Sequence, residues 1–223
     1  MKKRLLLALL SMMILPECPA RAQAASGLQK DSSPGQAQKA QAPARVTTQP
    51  PAQVITDAKT HLIFDLPAGW NSARRDGEIS TFHLDARTAP RTADLRLVAS
   101  LAYNPYPSST FSGALFYLSV TPRSTTKACA AQTSVKPDKP LARAVVADLN
   151  FNRGIDERGH ICTEARTVTY TSLHKGACLR FDLVVNNFCG GEVSGVRDMT
   201  EAELASIFKR LEDILGTVRI TSE

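Results

Sequence analysis

Apolar positions in this chain follow two rhythms, one of period two and one of helical period, and the two occupy different stretches. Residues 163–173 and 178–188 are rich in Val, Thr, Tyr, Leu and Phe and flank Lys175-Gly176, which predicts a β-hairpin about a two-residue turn. Such a short loop sets the register, because opposed residues must then have numbers that add to 351. Leu179, Phe181, Leu183 and Val185 therefore share one face, opposite Ser172, Tyr170, Val168 and Arg166, and that face is expected at the core. Farther on, Leu204, Ile207, Phe208, Leu211, Ile214 and Leu215 recur at helical spacing behind Thr200 and Glu203. Those two form a capping box, so a helix is predicted over 200–215, with Gly216 as a left-handed cap and Thr217 to Ile220 as a short edge strand.

The rest of the pattern is shorter in range. His61 to Leu66 reads as a strand stopped by Pro67-Ala68-Gly69, after which comes the single Trp, Trp70. Asp76-Gly77 reads as a turn into a strand over Ile79 to Leu84. Between Thr92 and Ala102 both rhythms fit, since Leu95, Val98, Leu101 and Ala102 suit a helix face while Leu95 and Leu97 alternate; helix is the expectation taken. Prolines 105 and 107 make Asn104 to Ser109 a loop. Ala114 to Thr121 reads as a buried strand, 127–132 as a helical turn around Cys129, and Ala144 to Phe151 as a further strand beyond Pro137 and Pro140. Strands with one long amphipathic helix on their face describe an α+β fold, an antiparallel β-sheet with packed helices.

The amino terminus changes the picture of compartment. Lys2, Lys3 and Arg4 precede an eleven-residue apolar stretch, Leu5 to Leu15, and Ala22-Gln23-Ala24 has the small-x-small form of a cleavage site. Residues 1–24 are expected to be a signal peptide, which makes the protein secreted or periplasmic. Pro16 and Pro19 argue against a buried core helix, and no apolar run reaches the ~18 residues that a membrane-spanning helix needs. Cys18 follows Leu15-Pro16-Glu17, loosely like a lipoprotein site, but Glu17 stands where a small residue is wanted, so no lipid anchor is expected. Residues 25–53 are rich in Ala, Gln, Pro, Ser and Thr and predict a disordered linker. Residues 54–223 are expected to form one globular domain.

Charge then excludes one class of partner. The 223-residue chain has a formal net charge of +6, of which residues 1–24 contribute +3 and residues 25–53 contribute +2. The expected domain is left at +1, with no basic stripe, and nucleic acid is not an expected partner.

Outside the leader the cysteines are Cys129, Cys162, Cys178 and Cys189, an even number, which in an exported chain favours disulfides. Four cysteines permit three pairings. The hairpin register chooses among them, since Cys162 and Cys189 satisfy the 351 rule, whereas Cys178 and Cys189 lie ~36 Å apart along one extended strand. Cys178 also points to the opposite face, so the expected pairs are Cys162–Cys189 and Cys129–Cys178.

Other motifs fall short of chemistry. His160-x-Cys162 and His174-x3-Cys178 place soft ligands near each other, but not at zinc-finger or zinc-knuckle spacings. Asp148-x-Asn150-x-Asn152 opens like a calcium loop, yet Arg153 stands at the required Gly and Gly159 at the required Glu, and the run reads as a strand with Leu149 and Phe151 on one face. Gly154-x4-Gly159 is followed by His160 instead of Lys-Ser/Thr, which removes a phosphate loop. Gly191 to Gly195 misses the serine-hydrolase elbow by one position. No catalytic, cofactor-binding or metal-ligating residue is assigned, and no cofactor is expected. The loop bearing Asn104, Tyr106 and Phe111 is the candidate partner-binding surface, because tyrosine gives contact area at low entropic cost.

The run Phe64-x-Leu66-Pro67-x-Gly69-Trp70, taken with the closing helix 200–215 and strand 217–220, resembles the PsbP-like superfamily, which includes DcrB-type bacterial lipoproteins and a nuclear-import Ran-binding relative. The resemblance implies an α/β/α sandwich, an antiparallel sheet between helices, and roles in binding or assembly. The four cysteines and the Asn104 to Phe111 loop depart from the pattern, and no functional residue of the family maps onto this chain. The functional expectation is a non-enzymatic binding or assembly module whose partner is a protein or other envelope component. The alternative is a periplasmic hydrolase or metal-dependent enzyme using His160 and His174.

Overall fold

The expected hairpin is the centre of the structure. In the computed structural model, β8 (Thr163–His174) and β9 (Ala177–Phe188) pair antiparallel from His174 with Ala177 to Thr163 with Phe188, keeping the 351 register throughout. Lys175 and Gly176 both have positive φ, 47° and 78°, as a two-residue hairpin turn of this hand requires. The structure describes residues 48–75, 90, 92–133, 141–160, 163–188, 190 and 195–221.

Hairpins extend the sheet on both sides. β7 (Leu149–His160) pairs with β8, and β6 (Ala142–Val146) with β7; on the other side β5 (Phe111–Thr121) pairs with β9, β4 (Asp94–Leu101) with β5, and β3 (Trp70–Ala73) with β4. All seven strands are antiparallel in the order β3-β4-β5-β9-β8-β7-β6. A second, three-stranded sheet has β2 (Leu62–Leu66) between β1 (Gln53–Asp57) and β10 (Arg219–Ile220). The helices among the described residues are α1 (Thr126–Ala131) and α2 (Glu201–Gly216). The fold is thus α+β and mostly antiparallel sheet, as expected.

The first face of the large sheet carries the main core. The stripe Leu204, Ile207, Leu211, Ile214 and Leu215 of α2 is buried there, together with Leu62, Phe64 and Leu66 of β2. A chain of rings crosses the layer, with Phe64 to Phe116 at 5.6 Å, Phe116 to Phe181 at 5.8 Å and Phe181 to Phe151 at 5.8 Å between centroids. Trp70 is buried at the start of β3, after Gly69 turns the chain at φ 87°, a conformation that favours glycine. The second face is buried too and is mixed, with Val98, Leu115, Tyr117, Ala165 and Val184 forming a second apolar cluster beside buried polar groups. Arg180 and Asp182 form an ion pair at 2.8 Å, each at most 2% exposed, and Asp182 also accepts from Thr169 at 2.6 Å. At one end of this face α1 packs against β8 and β9, so a helix lies on either side of the sheet.

Several expectations need correction. Residues 94–101 form strand β4, not a helix: a bulge between Leu95 and Leu97 breaks the alternation, and Leu97, Val98 and Ala99 are all buried because both faces are covered. Ala144 to Phe151 is not one strand, because Ala147 and Asp148 turn the chain at φ 49° and 63° between β6 and β7. Gly216 is not a left-handed cap. The helix ends at Thr217 in right-handed geometry, whose hydroxyl donates to Ile214 O at 2.7 Å and accepts from Asp65 N at 2.9 Å, tying the helix end to β2. The chain also joins the sheet before Val54, since Gly69 N donates to Pro50 O at 2.8 Å and Gln53 pairs with Leu66. The leader, most of the linker, the Asp76-Gly77 turn and the 79–84 strand lie outside the described residues.

Two tests follow from local geometry. A Cβ at Gly154 in β7 would collide with Thr133 O, beyond α1, so Gly154→Ala should destabilise by about 2 kcal/mol or more in urea unfolding, as an overpacked contact with backbone does. At α2, the expected capping box is present, with Glu203 N donating to Thr200 Oγ1 at 3.2 Å and Thr200 N to Glu203 Oε2 at 2.9 Å. The Arg197 guanidinium, and after it the Thr200 N–H, hold the Glu203 carboxyl at about 2 instead of the ordinary 4.5. A lowered folded value means that the cap is fully engaged above 4.5 and is lost as pH falls toward 2. Amide exchange in the first turn of α2 should be destabilised over that interval, and this pH step should be absent in Glu203→Gln.

Candidate functional site

The sheet end that carries the β8–β9 turn opens into a cleft of about 410 Å³. Its floor is apolar, made by Val120 and Pro122 at the end of β5 and by Ala177 and Leu179 at the start of β9. Its rim is rich in basic side chains, with Lys59 and His61 from the β1–β2 turn, Arg96 from β4, and His174 and Lys175 from the hairpin turn; Asp94 is the acidic group of the lining. The ladder explains why these segments meet. Asp94 pairs with Val120, Thr121 with Cys178, and His174 with Ala177, so the ends of four strands lie side by side.

Asp57 organises the rim from behind. It is 2% exposed and accepts from Arg96 Nη2 at 2.5 Å, from Arg96 Nε at 3.2 Å and from Thr60 Oγ1 at 2.5 Å. Burial pushes the Asp57 carboxyl up, but the hydrogen bonds from Arg96 and Thr60 and the Arg96 and Arg74 charges outweigh it and hold the group below its usual value. Arg96 also donates to Asp94 at 3.1 Å, and hydrogen bonding to Asp57 raises its own pKa. Thr60 closes the β1–β2 turn onto Asp57, while Thr221 N donates to His61 O at 2.8 Å, so the C-terminal segment holds the same turn.

The strand that supplies the floor is held by sulfur. Cys178, between Ala177 and Leu179, is bonded to Cys129 of α1, and both are buried, at 0% and 1% exposure. This is the expected Cys129–Cys178 pair. With its ends 49 positions apart in sequence, it stabilises by about 4 kcal/mol in the chain-entropy account. Ser124 N donates to Gly176 O at 3.0 Å, a second link from the α1 side to the hairpin turn.

The other sequence candidates are distributed as follows. Cys162 and Cys189 lie outside the described residues; their nearest described neighbours, Thr163 and Phe188, are a register pair. His160 pairs with Thr163 and His174 with Ala177, so the two histidines sit at opposite ends of a twelve-residue strand pair and do not form a joint site. Among the described residues, no three His, Cys, Asp or Glu side chains are grouped to hold a metal. The 104–111 loop turns inward: Phe111 is 2% exposed, its ring meets Tyr106 edge-on at 6.3 Å, and Asn104 donates to Phe111 O at 3.3 Å. Phe111 therefore anchors the loop to the core and gives no contact surface, and Asn104 alone of the three is exposed. Asp148 is a turn residue, and Gly154 and Gly159 lie within β7. The cleft was missed because its basic side chains come from turns far apart in sequence; the one local signal was the pair of basic turns, Lys59-Thr60-His61 and His174-Lys175.

No protein-family model matches the chain, and no curated protein does. Among solved structures, the chain is similar to a protein from Bacteroides thetaiotaomicron, at 13% identity and TM-score 0.44, over 78% of this chain and 50% of that one. It is also similar to cyanobacterial PsbP from Synechocystis sp. PCC 6803, at 10% identity and TM-score 0.44, over 77% of this chain and 93% of that one. A third is LpqN of Mycobacterium tuberculosis, involved in cell envelope biogenesis, at 10% identity and TM-score 0.34, over 77% and 91%. No residue role is carried over from any of the three.

The Asp57–Arg96 pair gives a direct test. Arg96→Met leaves a buried carboxylate without its partner and should cost about 3 kcal/mol in denaturant unfolding at neutral pH. Because the folded value of Asp57 is lowered, the native pair contributes fully above the ordinary carboxylate range and is lost as pH falls through and below it. Stability measured against pH should therefore drop in acid for the native chain, with that component missing from Asp57→Asn.

Proposed function

We propose that this chain is an exported, disulfide-stapled binding module of the cell envelope, without catalytic activity of its own, which receives its ligand or partner at the end cleft. The observation that carries this reading is the buried Cys129–Cys178 disulfide directly behind the cleft floor. A structural disulfide needs an oxidising compartment. The leader-like residues 1–24 supply a route to one, and residues 25–47 have the composition of a tether with a reach of roughly 25 Å. No helix among the described residues is long and apolar enough to cross a membrane. The second pair, Cys162–Cys189, belongs to the same reading, because their numbers add to 351, the sum kept by the described pairs of the hairpin.

The test is cell fractionation of the native protein with thiol alkylation and non-reducing peptide mapping. The expected result is a chain in the extracytoplasmic fraction that begins after the leader, with linked Cys129–Cys178 and Cys162–Cys189 peptides and no free thiol. A cytoplasmic, fully reduced protein with residues 1–24 attached would overturn the reading.

A further inference from the structure

We propose that the Cys129–Cys178 bond is a redox latch for the end cleft: the reduced chain folds both sheets and α2 but leaves α1 unseated, and oxidation seats α1 and completes the cleft wall. This rests on the reading of the chain as an exported binding module and adds how its site is regulated.

The two helices are held by different means. α2 has sixteen residues and buries Leu204, Ile207, Leu211, Ile214 and Leu215, so apolar contact fixes it. α1 has six residues, too few to persist alone, and the one side chain it buries is Cys129. Past its end, Thr133 Oγ1 meets Thr171 Oγ1 at 2.5 Å and Gln132 Nε2 donates to Thr121 Oγ1 at 3.3 Å. Such bonds replace bonds to water, and their net gain is small. The main core closes without the sulfur pair, since neither cysteine belongs to either apolar cluster and α2 with the small sheet covers the first face. Loss of the bond is therefore a local event.

The segment it releases borders the cleft. Pro122 lines the cleft and leads through Ser124, whose N–H donates to Gly176 O at 3.0 Å, into the Thr125 cap of α1. On the other side of the bond, Cys178 stands between the lining residues Ala177 and Leu179 and pairs with Thr121. One sulfur bond thus ties the Pro122 wall to the floor strand. The closing step is thiol–disulfide exchange with a disulfide donor of the compartment. Cys129, carried on the loose segment, attacks a donor sulfur as its thiolate; Cys178 then displaces the donor from the mixed disulfide. The donor leaves as two thiols, holding the two electrons and, through water, the two protons.

The experiment is residue-resolved amide exchange, without denaturant, on three samples: the oxidised mature chain, the same chain after dithiothreitol, and the double variant Cys129→Ala with Cys178→Ala, which keeps Cys162 and Cys189. The amides of Ala128, Cys129, Gln132 and Thr133 are hydrogen-bonded when α1 is seated. Their exchange should quicken about a hundredfold in both altered samples, while amide shifts move at residues 120–125 and 174–179. Protection in α2 and in the β8–β9 ladder should persist, and oxidised glutathione should return the reduced chain to its original spectrum. Unchanged protection at 128–133 would overturn the latch, because the polar contacts would then suffice. So would loss of α2 and ladder protection in step with α1, or an unfolded double variant beside a native chain that dithiothreitol reduces only on global unfolding, since the bond would then support the whole fold. Failure of the latch in a chain found exported and linked leaves the compartment reading intact; a working latch in a chain found reduced in the cytoplasm sinks that reading alone.

Discussion

Strand β9 is buried on both faces, and every other element is placed by that demand. From Cys178 to Asn187 no residue is exposed, so the strand must satisfy an apolar layer and a polar layer at once. Leu179, Phe181, Leu183 and Val185 meet α2 and the small sheet. Cys178, Arg180, Asp182, Val184 and Asn186 point the other way, where Val184 joins a second apolar cluster and each polar residue needs its own partner. Cys178 has a covalent one, and Arg180 and Asp182 have each other and Thr169. Replacing one member of such a pair leaves a buried charge and is far costlier than the pair's net contribution. Asn186 shows the limit of this accounting, since among the described residues neither end of its buried amide finds a hydrogen-bond partner.

The same strand couples stability to the candidate site. Its first residues form the floor of the cleft on one face and bear the disulfide on the other, with one residue, Cys178, between the two lining positions Ala177 and Leu179. The crosslink therefore sets the position of the floor as well as limiting the unfolded chain. The rim is held by an independent device, the Asp57 carboxylate, whose burial is offset by Arg96 and Thr60. The floor strand and the Arg96 side of the rim are thus fixed by separate physical devices.

Much of the fold was legible in residue order because the information was local or arithmetical. The Lys175-Gly176 turn gives the hairpin register with no knowledge of the other strands, and from that register follow the core face of β9 and the Cys129–Cys178 pairing. The capping box and stripe of α2 are likewise contained within sixteen residues. What failed was the inference from periodicity where a strand has two buried faces or a bulge, as in β4, and where an unremarkable Ala147-Asp148 pair takes positive φ. Phe111 was misplaced for a similar reason, since an aromatic residue in a loop reads alike whether its ring faces solvent or core.

By itself the sequence determined the central hairpin, the closing helix, one crosslink and the near-neutral charge of the domain, because each depends on spacing along the chain or on composition. Tertiary structure alone decided that Asp57 and Arg96, thirty-nine residues apart, share a buried ion pair, and that Lys59, His61, His174 and Lys175 crown one apolar cleft while His160 is sent to the far end of the sheet. The physical reason is that such groupings arise when strand ends align in a sheet, and alignment is set by the joint packing of the strands, ten among the described residues, which no local window of sequence contains.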